Sequence, residues 1–274
     1  MSNGRRSSSS FEQTAACVRP IRRAAATVAV VVLAFLHGGR PVSAAGAEEW
    51  RGRVLYQLLV DRPVVRQCPR RRLGVAPYHG YWAQDLYAIE PHIGTPDDLR
   101  ALVEKGHNAG LLVMLDVVAN HVGACDTSTI HPFDSPYHYH DCSGCDGSCS
   151  IPRAAFDAAD EGPLEHCRLA GLPDLNQSHP FVRHELLRWV GFMVTTFSLD
   201  GLRVDTAPEV ARPFWREFSG AAGVFTLGEV AFTGLERLGF VASYAGPGAL
   251  GSVLSYPMYG ALRGVFGEGQ DMDL

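Results

Sequence analysis

The sequence predicts an α/β fold built on a parallel sheet, and three observations carry that expectation. Strand-like and helix-like patterns alternate from about Arg53 onward, as they do when helices are laid across a sheet. Two apolar runs, Gly201-Leu202-Arg203-Val204-Asp205 and Val224-Phe225-Thr226-Leu227-Gly228-Glu229, each end in a carboxylate, and the carboxylates are 24 positions apart. The stretch between them is helix-like. That is the spacing of neighbouring parallel strands joined by a crossover helix, which brings both strand ends to one rim of the sheet.

The elements follow in order. Val54 to Val60 is a buried-strand run closing on Asp61. Thr95-Pro96-Asp97-Asp98 starts a helix: a capping hydroxyl, proline in the first turn, then acids that suit the helix dipole. This helix runs to about Lys105 or His107 and ends before Gly110. Leu111 to Val118 is a continuous apolar strand interrupted only by Asp116. Gly123 to Leu172 has no sustained period and is rich in Cys, Gly, Ser, His and Asp, so it is expected to be a small irregular domain held by disulfides or metal. Helical periodicity returns with Phe181, Leu186, Leu187, Val190, Met193, Val194 and Phe197. The Asp205 strand comes next, then a helix through Phe214 and Phe218, the Glu229 strand, and a last strand at Ser252 to Tyr256.

At 274 residues the chain has room for a sizeable core, and 46% apolar with 19% charged residues is a globular composition. A net charge of −5 gives no sign of a nucleic-acid partner. Residues 1–45 differ in kind. Arg19, Arg22 and Arg23 precede an apolar run, Ala24 to Leu36, that is short for a bilayer span, and Val42-Ser43-Ala44 follows as a small-residue cleavage site. The expectation is a secretory signal peptide, with an uncleaved signal anchor as the alternative. A secreted destination is oxidising. Of seven cysteines, Cys17 falls in the leader, and Cys68, Cys125, Cys142, Cys145, Cys149 and Cys167 remain. Disulfides suit them, while a zinc site among the four from Cys142 to Cys167 is the alternative reading.

An aspartate and a glutamate on one sheet rim are the minimum equipment for cleaving a glycosidic bond. Arg203 lies two residues before Asp205, hence on the same strand face, where it is expected to keep Asp205 ionised. Glu229 ends an apolar strand, where desolvation is expected to raise its pKa toward that of a proton donor. Asn120-His121 follows the Asp116 strand and reads either as a calcium ligand or as a polar turn. Tyr78-His79-Gly80-Tyr81-Trp82 sets aromatic rings beside an imidazole, which suits sugar stacking or core packing.

Four motifs then resemble the α-amylase family, glycoside hydrolase family 13, in its fungal secreted form. They are Asp116-Val117-Val118-Ala119-Asn120-His121, Leu172-Pro173-Asp174-Leu175-Asn176, Gly201-Leu202-Arg203-Val204-Asp205-Thr206 and Gly228-Glu229-Val230. They occur in family order. The resemblance implies a (β/α)8 TIM-type barrel with an inserted domain after the third strand: barrel at residues 46–122 and 173–274, insert at 123–172. It implies hydrolysis of internal α-1,4-glucosidic bonds of starch or glycogen with retention, with Asp205 as nucleophile and Glu229 as acid/base. His79, Tyr81, Trp82, His121 and Arg203 would line the sugar site. Calcium would be held by the side chains of Asn120 and Asp174 and the carbonyls of Glu165 and Glu209. A Cys142–Cys167 disulfide, an α-glucan substrate and a secreted monomer with no membrane attachment after cleavage are also implied.

The sequence departs from the pattern in three places. Similar α-amylases carry a Lys and a His where this chain has Pro208 and Glu209; Thr206 to Glu209 reads instead as a capping box. Asp61 to Tyr78 has no room for both the helix and the second barrel strand of the family. Leu274 follows the sixth strand, before the seventh with its third carboxylate and before the eighth. Five of eight strands do not close a barrel, and the first would lose both neighbours. The expectation is an incomplete copy with little or no starch hydrolysis, an inactive remnant that at most binds glucan. A related α-glucosidase or glucanotransferase is a further alternative.

Overall fold

The computed structural model describes residues 46–58, 81–91, 94–124 and 126–267, together with the backbone of Val31–Phe35. In chain order the main elements are strand β1 (Val31–Phe35), helix α1 (Ala47–Arg51), strand β2 (Leu55–Leu58), helix α2 (Pro96–Asn108) and strand β3 (Leu111–Val117). Short helices α3 (Arg153–Ala158) and α4 (Glu161–His166) lie in the Cys-rich segment. Helix α5 (Pro180–Phe197), strand β4 (Gly201–Val204), helix α6 (Arg212–Ala222), strand β5 (Phe225–Gly228), helix α7 (Leu238–Ala242), strand β6 (Ser252–Val253) and helix α8 (Tyr256–Phe266) follow.

One six-stranded sheet has the order β2-β1-β3-β4-β5-β6. From β3 to β6 the pairing is parallel and in sequence order, with α5 and α6 in the first two crossovers, as in consecutive strands of a (β/α) barrel. Among the described residues the sheet is open, ending at β2 and β6. Two features differ from expectation. The first strand has a neighbour, because the apolar run expected to form the leader core supplies β1, which pairs antiparallel with both β2 and β3. The last strand is only Ser252–Val253, and Tyr256 begins a helix instead of ending the strand.

Period-two alternation places the chemistry. On β3, Val113, Leu115 and Val117 join the main core with Val182, Leu186, Val190 and Phe218 from α5 and α6. The opposite face carries Leu112 and Met114, which pack with Leu227 and Trp50, and the next position on that face is Asp116. Register sets Asp116 beside Arg203 and Arg203 beside Leu227. Asp205 and Glu229 therefore lie one step further along the same face, at the C-terminal rim. Gly201 belongs to the layer below, where a Cβ would lie 2.9 Å from the Met114 methyl and 3.0 Å from the Trp50 ring.

The predicted helix start at Thr95 forms a complete capping box with Asp98. The one expected at Thr206 does not form. Thr206 is left-handed (φ 48°), its hydroxyl makes no cap bond, and only a 3-10 turn, Ala207–Glu209, follows before α6. The Thr206 and Ala207 amides are instead directed to Glu229.

The segment between β3 and α5 has its own small core of Ile151, Ala155, Leu164 and Cys167. Its disulfides are Cys142–Cys149 and Cys145–Cys167, with Cα separations of 5.3 and 5.7 Å, in place of the expected Cys142–Cys167 bond. Cys142 and Cys149 both adopt positive φ, and the Asp146 carboxylate accepts from the Ser148 and Ser150 amides, so this loop folds back on itself and brings its two ends together. All four sulfurs are thereby committed, which removes the zinc reading. Cys68 and Cys125 lie outside the described residues. No helix among the described residues is long and apolar enough to cross a membrane.

Candidate active site

Arg203 is the hub of the rim. Its Nη1 donates to Asp116 Oδ1 at 2.8 Å and to Asp205 Oδ1 at 2.7 Å, while Nη2 lies 2.7 Å from Glu229 Oε2. Arg203 and Asp205 are buried. One guanidinium thus serves three carboxylates supplied by adjacent strands β3, β4 and β5, and their number exceeds the charge it can neutralise. Tyr81 donates to Asp116 Oδ2 at 3.1 Å and presents its ring to the guanidinium at 5.9 Å. Gln57, on β2, donates to the same oxygen at 3.4 Å.

The backbone fixes the two rim carboxylates to each other. The Glu229 amide donates to the Val204 carbonyl at 2.8 Å, and the Ala207 amide to the Glu229 carbonyl at 3.0 Å. Trp215 Nε1 donates to the Ala207 carbonyl at 2.8 Å, anchoring the turn from the helix side. Asp205 and Glu229 also face each other closely enough that the state of one bears on the protonation of the other.

The electrostatics differ from the sequence expectation. Burial pushes the Asp205 carboxyl up to about 7, and Asp116 and Glu229 add to the rise against the pull of Arg203. Burial also raises Glu229, but Arg203, Tyr256, Asp205 and the Thr206 amide together outweigh it and hold Glu229 below its ordinary value. The expectation had these directions reversed. The reason is that Arg203 is not reserved for Asp205, and Glu229 receives donors that its apolar strand does not reveal. Asp116 is pushed up to about 6 by burial, with Arg203 and Tyr81 opposing.

A second cluster lies beside the first. One terminal atom of the Asn120 carboxamide is 3.0 Å from the Glu209 carbonyl and 2.9 Å from Asp174 Oδ1, and the other is 3.2 Å from His121 Nδ1. Two orientations are open to this amide. With nitrogen inward it donates to both oxygens. With oxygen inward, three oxygens face one another, an arrangement that a hard cation reconciles. Asp174 Oδ2 is 2.5 Å from His140 Nδ1. Glu165 sits on α4, which packs against the Ala207–Glu209 turn. Among the described residues no group of three or more His, Cys, Asp and Glu side chains converges here, and the oxygens that do converge are the Asn120 amide, the Asp174 carboxylate and the Glu209 carbonyl, a donor set that fits calcium.

Of the residues singled out in the sequence, Asp205, Glu229, Arg203 and Tyr81 come together at the rim, and Asn120, His121, Asp174 and Glu209 form the adjoining cluster. Trp82 follows Tyr81, half-buried. His79 lies outside the described residues. Sequence reasoning missed Asp116, Gln57 and Tyr256 as site residues, and the Glu209 carboxyl, which is buried with Oε2 unpartnered. Asp116 had a signal, as the one carboxylate in an apolar strand. Tyr256 had none: it lies 27 positions from Glu229, and its hydroxyl donates to Oε1 at 2.7 Å.

Residues 62–221, more than half of the chain, match the family described as alpha amylase, catalytic domain. Alpha-amylase 1 of Lipomyces kononenkoae is 34% identical over 72% of this chain and 31% of its own length. The solved α-amylase of Malbranchea cinnamomea is 35% identical with a TM-score of 0.64, covering 75% of this chain and 42% of that one. A Geobacillus thermoleovorans α-amylase solved with acarbose is 34% identical with a TM-score of 0.57, covering 68% and 40%. The chain spans less than half the length of the curated relatives it matches, 16%, 46% and 31% in three cases.

Proposed function

The chain belongs to the α-amylase family, and from that premise we propose that its rim site cleaves internal α-1,4-glucosidic bonds of starch or glycogen with retention of configuration. One observation carries the proposal: Asp205 and Glu229 end adjacent parallel strands and are both held by Arg203. In a retaining mechanism one carboxylate attacks the anomeric carbon while the other protonates the leaving oxygen, then takes a proton from the attacking water. Asp205 is the nucleophile and Glu229 the acid/base. Asp205 gives up its proton and Glu229 gains one as the sugar, with its developing positive charge, favours ionised Asp205. Tyr81, Trp82 and His121 line the sugar site.

Calcium is held by the side chains of Asn120 and Asp174 and the carbonyl of Glu209, with the Glu165 carbonyl as a further ligand. When bound, it ties the Cys-rich inserted domain to the rim turn that follows Asp205. The chain is secreted, its first 45 residues acting as the signal peptide, so that β1 leaves with them and β2 and β3 lose the neighbour they share.

Hydrolysis of maltoheptaose, followed by NMR of the newly formed reducing ends, is the test. Alpha anomers formed first, and lost in both Asp205→Asn and Glu229→Gln, are expected; beta anomers would exclude the mechanism. A second reading, binding without cleavage, is favoured by Pro208 and by the buried Glu209 carboxyl. Acarbose binding with no product would establish it.

A further inference from the structure

The Glu229 carboxylate is more fully engaged than the cleavage chemistry requires, and its partners are not equivalent. Oε2 lies 2.7 Å from Arg203 Nη2 and 3.4 Å from the Thr206 amide. Both are permanent donors: a guanidinium and a backbone N–H accept nothing. Oε1 accepts from the Tyr256 hydroxyl at 2.7 Å. A phenol donates to a carboxylate and, by rotating its hydrogen, accepts from a carboxylic acid. Glu229 can therefore gain a proton at Oε1 without facing a donor, and cannot do so at Oε2.

We propose that Tyr256 is a positioning residue for Glu229, fixing its rotamer and selecting Oε1 as the oxygen that carries the acid proton. This rests on the acid/base role given to Glu229 above. The step is a proton uptake alone: an O–H bond of a hydronium ion breaks and releases water, an O–H bond forms at Glu229 Oε1, and the Tyr256 hydroxyl turns from donor to acceptor. No atom is gained or lost by the tyrosine. Among the described residues, the other charged groups around Glu229 belong to the rim: Asp205 and Arg203 on or beside β4, Asp116 on β3, and Glu209 on the following turn. Among the described residues, Tyr256, the first residue of α8, is the one side chain from outside this strand cluster that bonds to Glu229. It is half-buried, with its own hydroxyl raised by burial and by the Glu229 bond, so it stays protonated across the working range.

The test is a titration of the Glu229 carboxyl by NMR in the full chain labelled with carbon-13 at glutamate Cδ, the signal being assigned by its absence in Glu229→Gln. Tyr256→Phe removes the donor to the ionised form and is expected to raise the midpoint by about one pH unit, from the strength of a hydrogen bond to a charged group. Tyr259→Phe, one turn on and largely exposed, is the control and leaves the midpoint in place. An unchanged midpoint in folded Tyr256→Phe overturns the proposal. Replacing Tyr256 by 3-fluorotyrosine keeps the ring and acidifies the hydroxyl, so it must lower the midpoint; failure to do so is equally contradictory and does not depend on the phenylalanine variant folding. Because the readout is a titration, it decides the role of Tyr256 even where no glucan is cleaved. Where cleavage is measurable, the alkaline limb of kcat/KM moves upward in Tyr256→Phe by the same amount.

Discussion

At the residue scale, Arg203 balances three carboxylates against one guanidinium. Arg203→Met leaves Asp116, Asp205 and Glu229 uncompensated, and removing one partner of a buried pair costs about 3–5 kcal/mol. Denaturant unfolding is expected to show that loss at pH 8 and a smaller one at pH 5, where the carboxyls take protons instead. The sign for the unmutated protein follows from the same groups. Asp116 and Asp205 have folded values of about 6 and about 7, above their ordinary 3.8. Their contribution to stability is complete below the unfolded value and is lost as pH rises through the folded ones. The melting temperature therefore falls between pH 4 and pH 8, and Asp205→Asn flattens the profile; a melting temperature that rises over this range would contradict the burial of these groups. Arg203, Asp205 and Glu229 were legible because each sits at a fixed step of a strand. The distribution of protons among them was not, because it depends on Tyr256, Tyr81 and Asp116, which arrive from distant parts of the chain.

At the scale of elements, local rules succeeded where the signal was local. Thr95 and Asp98 form the expected box, and Thr95→Ala is expected to cost about 1 kcal/mol in chemical denaturation. The same pattern at Thr206 failed because the Glu229 carboxylate takes the Thr206 amide that the Glu209 side chain would accept from in a capping box. Disulfide connectivity was beyond reach of spacing: peptide mapping under non-reducing conditions is expected to recover Cys142 with Cys149 and Cys145 with Cys167. The Asn120–Asp174–Glu209 cluster gives a further prediction. Calcium raises the melting temperature of the unmutated chain, chelation reverses it, and Asp174→Asn removes the response; an equal response in that variant would place the ion elsewhere. Helix α8 buries only Pro257 and exposes Met258, Tyr259, Leu262 and Phe266, yet its first residue bonds Glu229. Amide exchange in α8 is expected to be faster than in α5, whose inner face is buried along its length.

At the scale of the molecule, the β3–β6 run reproduces a stretch of a (β/α) barrel, and the alternation of apolar strands with crossover helices was enough to anticipate it. The placement of Val31–Phe35 beside β2 and β3 was not, since an apolar run that reads as a leader core reads equally as a strand. Parallel pairing in order from Asp116 through Arg203 to Leu227 sets Asp116, Asp205 and Glu229 on one face. The central claim is that Asp205 attacks the anomeric carbon. Incubating the protein with a 5-fluoro-α-maltosyl fluoride, whose fluoride leaves without acid assistance and whose glycosyl intermediate turns over slowly, tests it by mass spectrometry of the digested chain. A single glycosyl adduct on the peptide carrying Asp205, retained in Glu229→Gln and absent in Asp205→Asn, is predicted. An adduct on any other carboxylate, or none in a folded protein that binds acarbose, would contradict it.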